Sequence, residues 1–241
     1  MNETFFDYLI HVWQCNFFIA PFILVSQLVA LYSILKTQTK GIWNLYFLIY
    51  CIAGFYLFFI SEIFIYYILR LSKYKDLFIE INNLIFLLIE YFLFTTYFKT
   101  ILTSKFIKKT IPYFSIFLIS SILLTTLYLI YPKSTFFNFR HFVSIITFSE
   151  LNFIGILCLC YIYELFQNFS EEKLTTRPSF WIVFSSLLYF IVIPIVFVLH
   201  ETFRLEYKIL FRILISLHYL AFGFVYLGIS KGFICNRTIT I

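Results

Sequence analysis

Ionisable side chains inside long apolar segments are the residues of this chain most able to do chemistry. A charged group at the centre of a bilayer costs on the order of 3 kcal/mol on insertion scales, so it normally faces the interior of a helix bundle or water. The clearest pattern is a run at spacings of three or four residues, which places its members on one helix face. It consists of Glu80, Asn83, Leu87, Glu90, Phe94 and Tyr97.

Other polar groups are expected to lie near this face, on neighbouring segments. Glu62 shares a helical face with Asn44, and Glu150 lies in a separate apolar run. Arg212 is expected to pair with one carboxylate, and the other acids are expected to stay protonated because burial disfavours their charged form. The sequence therefore predicts an intramembrane polar pocket, open to the outside, that consists of Glu62, Glu80, Asn83, Glu90, Glu150, Arg212 and His218.

A structural role is the alternative for each of these residues. Polar side chains in membrane helices also join neighbouring helices through hydrogen bonds or lie within reach of the lipid headgroups. A lone histidine such as His218 is often a satisfied core residue, so its position in an apolar run does not by itself indicate a ligand.

Seven long apolar segments hold these residues and predict the fold. The chain has 241 residues and is 62% hydrophobic and 12% charged, whereas soluble domains have about 25% charged residues. A spanning helix takes roughly 20 apolar residues, and continuous apolar runs favour helices. We therefore predict an all-α, polytopic membrane protein, a single seven-helix transmembrane domain over residues 1–241 with spans at 16–35, 42–69, 77–98, 111–131, 142–166, 180–199 and 209–229.

Prolines set further expectations for these helices. Pro112, Pro132 and Pro178 are expected at the edges of spans, where helices start or stop. Pro194 lies inside a predicted span and is expected to kink it, because proline removes a backbone donor and clashes with the preceding turn.

Basic residues between the segments predict the orientation. The connections that would be cytoplasmic with an outside N-terminus hold slightly more lysine and arginine than the others. We therefore expect a protein of the cell's inner membrane with its N-terminus outside and its C-terminus in the cytoplasm. The densest basic cluster would contact lipid or a protein partner at the inner face, and it consists of Lys99, Lys105, Lys108 and Lys109. The charges are scattered among loops, so nucleic acid is not an expected partner.

Several known membrane chemistries need residues or patterns that this sequence does not contain. A retinal-binding pump needs a lysine in the middle of its seventh span, where this chain has none. A seven-span zinc hydrolase needs several histidines and an aspartate at matching depth, and no metal-ligand spacing is recognisable. Secondary transporters usually have paired halves and broken helices, which these continuous runs do not indicate. No catalytic set, metal site or cofactor is therefore predicted.

Four short segments resemble a group of short bacterial seven-span membrane proteins. The resemblance lies in residues 82–90 (NNLIFLLIE), 161–165 (YIYEL), 178–181 (PSFW) and 232–235 (GFIC), whose order and spacing span most of the chain. It implies a seven-helix fold and an inner-membrane location, and it brings no activity. It also implies that Glu90, Glu164 and Trp181 are more than accidents of composition.

A receptor-like sensor or membrane interaction module is the function that the sequence favours. In this hypothesis, the polar pocket changes its state in response to a signal. The basic inner loop then passes that change to a partner. A membrane-embedded lipid hydrolase, possibly metal-dependent, and a transporter of small solutes or protons stay open as alternatives, and a non-enzymatic role is preferred.

Overall fold

The computed structural model describes residues 19–37, 42–57, 75–130, 136–167, 174–203 and 208–239. In these ranges every regular element is helical, so the predicted all-α fold is confirmed. The helices are α1 (Ile19–Lys36), α2 (Ile42–Phe55), α3 (Lys75–Ile101), α4 (Lys105–Ile130), α5 (Phe136–Gln167), α6 (Pro178–Phe203) and α7 (Lys208–Ile239). A short 3₁₀ turn, Leu174–Thr176, precedes α6.

Five of these helices are long and apolar enough to cross a membrane, which identifies a multi-pass membrane protein. Their candidate spans are Ile81–Ile101, Lys105–Thr125, Phe142–Gln167, Pro178–Val196 and Ser216–Cys235. The described parts of the first two helices are apolar but shorter, at Pro21–Lys36 and Ile42–Phe55. The predicted second span continues over residues 58–69, which lie outside the described residues, so the count of seven spans stays a prediction.

Six helices form a closed ring, and one packs on its outside. Going round the ring, α1 contacts α2, α2 contacts α3, α3 contacts α5, and then α6 and α7 lead back to α1. Helix α4 packs mainly against α5 from the outside. Only 11% of its apolar window is buried, against 44–56% for the other four spans. The outer faces of all these helices carry large exposed apolar side chains, as a lipid-facing surface requires.

Aromatic rings fill the centre of the ring of helices. The Tyr50 ring of α2 stacks on Phe86 of α3 and lies beside Tyr226 of α7, with both pairs of ring centroids 5.6 Å apart. Phe94 of α3 contacts Phe190 of α6 edge to face at 5.2 Å. These contacts bring α2, α3, α6 and α7 onto one shared core.

The start of α4 differs from the expectation for Pro112, which was placed where a helix begins. Pro112 lies inside α4, which begins at Lys105. The backbone carbonyl of Ser104 accepts from the Lys108 amide at 3.2 Å, and its hydroxyl oxygen lies 3.4 Å from the Ile107 amide nitrogen. A serine N-cap thus starts the helix upstream of the proline. Pro178 begins α6 and Pro194 lies within it, both as expected.

Close helix packing at Gly228 gives a first testable prediction. A Cβ on Gly228 of α7 would overlap the Ser185 side chain and lie 2.8 Å from the Trp181 carbonyl oxygen of α6. Gly228→Ala is therefore expected to lower the free energy of unfolding by about 1–3 kcal/mol, as overpacking typically does. Thermal unfolding in detergent measures the effect.

Gly155 provides the matched control on α5. Its nearest neighbour to an added Cβ is the Phe190 carbonyl oxygen at 3.4 Å, an ordinary contact. Gly155→Ala is expected to be neutral or slightly stabilising, because alanine is the better helix former. Equal losses of stability in the two variants would contradict the close α6–α7 packing.

Candidate functional site

Glu90 is a buried carboxyl group near the middle of a membrane span. It lies close to the centre of the 21-residue span Ile81–Ile101 of α3, and its side chain is 3% exposed. The Tyr50 hydroxyl of α2 donates to its Oε1 atom at 2.7 Å. A buried hydrogen bond to a charged or acidic group stabilises by roughly 1.5–3 kcal/mol, so this contact joins α2 and α3 firmly.

Glu150 of α5 is a second buried carboxyl group. It has no exposed surface, and neither of its oxygens has a hydrogen-bond partner within the described part of the chain. The Glu90 and Glu150 carboxyl groups interact electrostatically, and the Tyr189 hydroxyl of α6 interacts with both. Two interacting carboxyl groups in an apolar medium cannot both carry charge without compensation. The pair therefore needs a proton or another positive charge.

A second group of polar atoms lies on the other side of the core, where α1, α2 and α7 meet. The Gln27 amide lies beside the Tyr226 hydroxyl, and a Cβ on Gly54 would overlap that hydroxyl. The two groups interact, but their geometry does not meet that of a hydrogen bond, so both stay unsatisfied in the described structure. The Tyr226 hydroxyl also interacts electrostatically with Glu90. Buried polar atoms are nearly always paired, so this group requires an explanation.

Together these residues form one polar layer across the middle of the bundle, which we call the carboxyl layer. Each of the six ring helices contributes one member, and the side chain of every member is buried. The buried rings of Phe86 and Phe222 pack against two members of the layer, Tyr50 and Tyr189. Its members are Gln27, Tyr50, Glu90, Glu150, Tyr189 and Tyr226.

The structure brings two of the predicted pocket residues together, Glu90 and Glu150. His218 is half-buried, and its ring lies edge-on to Tyr189 at 6.1 Å, one step outside the layer. Asn83 is exposed, whereas its neighbour Asn82 is buried and donates to the Phe78 carbonyl oxygen at 3.0 Å. A rotation of about 100° per residue separates the two asparagines on the helix.

Three other predicted pocket residues lie wholly or partly outside the described residues. Glu62 lies outside the described residues, and the side chains of Glu80 and Arg212 do too, although their backbones belong to α3 and α7. On α7, Arg212 lies ten residues before Phe222, a distance of about 15 Å along the helix. Phe222 is the residue of α7 that packs on Tyr189. The expected pairing of Arg212 with a carboxylate stays a prediction.

Four members of the carboxyl layer were not predicted from the sequence. Gln27 carried a usable signal, because it is the one amide in the apolar helix α1. There was little signal in the sequence for the other three members, Tyr50, Tyr189 and Tyr226. The chain has 19 tyrosines, and the contacts of each depend on which helices are neighbours.

The predicted basic cluster lies at the end of the bundle where α3 passes into α4. Lys99, Lys105 and Lys109 are exposed, and Lys108 is half-buried. Glu164, near the end of α5, accepts from the backbone amides of Thr103 and Ser104 at 2.6 and 2.9 Å and from the Thr103 hydroxyl at 2.8 Å. It thus caps α4 from a different helix, and Lys108 interacts with it electrostatically.

Trp181 also lies at this end and ties α6 to its neighbours. Its indole nitrogen donates to the Thr175 carbonyl oxygen at 2.8 Å, and the Lys231 ammonium of α7 lies 5.7 Å from its ring centroid. Glu164 and Trp181, two residues of the bacterial resemblance, therefore make contacts between different elements.

The described residues contain no cluster of side chains that could bind a metal ion. Within them, no three histidine, cysteine, aspartate or glutamate side chains lie close enough together to hold a metal ion. The carboxyl layer instead combines two acids with neutral phenol and amide groups.

Comparison with family models, curated proteins and solved structures finds no match to this chain. The resemblance to bacterial seven-span proteins therefore stays an expectation.

The Tyr50–Glu90 contact gives a testable prediction. Tyr50→Phe leaves a buried carboxyl oxygen without its donor, so the free energy of unfolding is expected to fall by about 1–3 kcal/mol. Tyr97→Phe is the control, since Tyr97 is buried on α3 and its hydroxyl makes no hydrogen bond in the described structure. Chemical denaturation in detergent compares the two, and equal stabilities would show that the hydroxyl contributes nothing.

The capping role of Glu164 gives another. Glu164→Ala removes all three acceptor contacts at the start of α4 and is expected to lower stability by about 1–2 kcal/mol. Gln167→Ala, at the exposed end of the same helix, is expected to change it by less than about 0.5 kcal/mol. Thermal unfolding measures both, and a neutral Glu164→Ala would refute the cap.

Proposed function

We propose that this protein is a receptor-like membrane sensor in which the state of the Glu90–Glu150 pair sets the spacing of α3 and α5. The signal changes the state of the carboxyl layer. The change reaches a partner at the basic end of the bundle, which is the end that carries Lys99, Lys105, Lys108 and Lys109. The unpartnered, fully buried Glu150 carboxyl carries this proposal, because ionisable groups inside a membrane are retained where they serve a function.

The same two helices that hold the pair are also joined at the basic end. Glu164 lies fourteen residues, or about 21 Å, beyond Glu150 on α5. It binds the backbone directly after the end of α3, at Thr103 and Ser104. A change in the α3–α5 distance at the carboxyl layer therefore acts on these three hydrogen bonds, since both helices are continuous between the two places.

The basic end is proposed to face the cytoplasm. Lys99, Lys105, Lys108 and Lys109 cluster there, Arg177 precedes α6, and Lys231 lies near the end of α7. Lysine and arginine concentrate on the cytoplasmic side of membrane proteins, which supports an outside N-terminus and an inner-membrane location. A cytoplasmic partner that reads this surface would carry acidic groups of its own.

A proton-coupled transporter is the second candidate. Carboxyl groups at mid-membrane are also the usual carriers in proton relays, and the Glu90–Glu150 pair has that chemistry. The two candidates differ in one observable: a transporter dissipates a pH gradient across liposomes that contain it, whereas a sensor leaves the gradient intact.

The sensor is tested by neutralising Glu150 and observing the basic end. Glu150→Gln keeps the side-chain shape and removes the negative charge. It thereby mimics a pair whose charge is compensated by a proton or another positive charge. Hydrogen exchange of the Thr103 and Ser104 amides in lipid nanodiscs is expected to slow by about fivefold, the low end of coupling between distant sites. The physical reason is that a neutral amide at this position needs no compensating proton or charge, so α3 and α5 pack more firmly around it.

Ser149→Ala is the matched control, because Ser149 is the preceding residue of α5 and its hydroxyl bonds only to the Ile145 carbonyl oxygen. Exchange at Thr103 and Ser104 should stay unchanged in this variant. A Glu150→Gln protein with unchanged exchange at both amides would refute the sensor.

A further inference from the structure

Helices α3 and α4 form a hairpin that is joined by side chains at two depths in the membrane. The Tyr91 hydroxyl of α3 lies 2.8 Å from the Ser115 hydroxyl of α4. Seven residues further from the turn, Ile122 of α4 packs against the buried pair of Leu84, from α3, and Val143, from α5. Seven residues separate Tyr91 from Leu84 as well, so the two contacts agree in register. The hairpin is therefore antiparallel, with known depths for its residues.

One stripe of α3 is exposed next to this contact. Lys99, Phe92 and Ile85 follow one another at intervals of seven residues, which places them on nearly the same helix face. Phe92 is 45% exposed and Ile85 is 52% exposed, and Lys99 is exposed as well. A rotation of about 100° separates Phe92 from Tyr91, which contacts α4. The stripe therefore borders the outer side of the hairpin.

Helix α4 has an exposed stripe at matching depths. Lys105, Pro112 and Ile116 fall on one narrow helix face, and Ile116 is 64% exposed. They lie away from Ile111 and Leu118, which are fully buried. The register of the hairpin puts Ile116 within two residues of Phe92 in depth, and Lys105 within two residues of Lys99, or about 3 Å.

The two lysines lie at the level of the lipid headgroups and lack an anion. They stand at adjoining ends of the candidate spans Ile81–Ile101 and Lys105–Thr125. Within the described part of the chain, neither Lys99 nor Lys105 makes a hydrogen bond or an ion pair through its ammonium group. The acid described at this end, Glu164, already accepts three hydrogen bonds from Thr103 and Ser104.

An anionic phospholipid matches both parts of this surface. Its phosphate would lie at the depth of the two lysines, and its acyl chains would lie against Phe92 and Ile116. Eleven residues, or about 16 Å of helix, separate Lys105 from Ile116, which is about half of a hydrocarbon core of roughly 30 Å. A soluble anion or an acidic protein would meet the lysines but not the apolar residues below them.

We propose that the outer side of the α3–α4 hairpin binds one anionic phospholipid, with its phosphate between Lys99 and Lys105. The site goes beyond the proposed sensor and does not rest on it, because no residue of the carboxyl layer takes part. Long lysine side chains reach the headgroups from helix ends, and each favours anionic lipid.

Native mass spectrometry of the detergent-purified protein tests this site. The protein is titrated with a phosphatidylglycerol and, separately, with a phosphatidylcholine that has the same acyl chains. The wild type is expected to bind the phosphatidylglycerol about 25-fold more tightly, since each lysine near an anionic headgroup contributes a factor of about five. The double variant Lys99→Gln/Lys105→Gln is expected to bind the two lipids with Kd values within about threefold of each other.

The matched control is Lys36→Gln/Lys231→Gln, which removes two positive charges from the same end of the bundle. These lysines lie on the other side of the ring and already have aromatic partners. Lys36 donates to the Tyr32 hydroxyl at 2.9 Å, and Lys231 lies over the Trp181 ring. The control is expected to keep the wild-type preference. A loss as large as that of the hairpin variant would show a general effect of net charge and overturn the site.

Two further results would overturn the phospholipid site. Equal affinity of the wild type for the two lipids would leave the lysines to an acidic protein partner. Displacement of the phosphatidylglycerol by an equal concentration of glycerol phosphate would show an anion site without a role for the acyl chains. If the double variant does not purify as a folded protein, Lys105→Gln alone is expected to lose about fivefold of the preference. An unchanged preference in that variant would also contradict the proposal.

Discussion

Two carboxyl groups held inside an apolar bundle are the constraint on which the rest of this structure depends. Glu90 and Glu150 lie on α3 and α5, and α4, which comes between these helices in the sequence, packs outside the ring. Helices α3 and α5 pack directly against each other, and the two acids interact electrostatically. Their burial requires a compensating charge or proton, so the state of the pair and the separation of its helices are linked physically.

The surroundings of the pair show how a membrane bundle distributes polarity. Large apolar side chains such as Val25, Leu124 and Ile195 are exposed on the outer faces, where lipid replaces water. Polar groups face inwards and join helices. The hydroxyls of Ser33 and Ser230 lie 2.7 Å apart and join α1 to α7. The hydroxyls of Tyr161 and Ser179 lie 2.6 Å apart and join α5 to the start of α6. Because no hydrophobic force drives helix association in lipid, such contacts and close packing at glycines hold the ring together.

Much of the fold could be predicted from the sequence, since continuous apolar runs leave a helix as the main way to satisfy backbone hydrogen bonds in lipid. Glu90 and Glu150 could be singled out because ionisable groups are rare at such depth. The order of helices around the ring could not be predicted, because all seven segments are similarly apolar. The contacts of Tyr50, Tyr189 and Tyr226 depend on that order, so these residues could not be predicted either. The start of α4 upstream of Pro112 was not predicted, because Glu164, which accepts from the amide of the N-cap residue Ser104, lies about sixty residues away in sequence.

The most direct measurement is the distance between the ends of α3 and α5 when the carboxyl pair changes state. Spin labels at Lys99→Cys and Phe166→Cys, both exposed positions near the basic end, report this distance by pulsed electron paramagnetic resonance in nanodiscs of a protein whose native cysteines have been replaced. Glu150→Gln is expected to shorten the mean distance by about 1–2 Å, the usual size of a helix shift in switching proteins. Superimposable distance distributions with and without Glu150→Gln would contradict the link between the buried pair and the basic end.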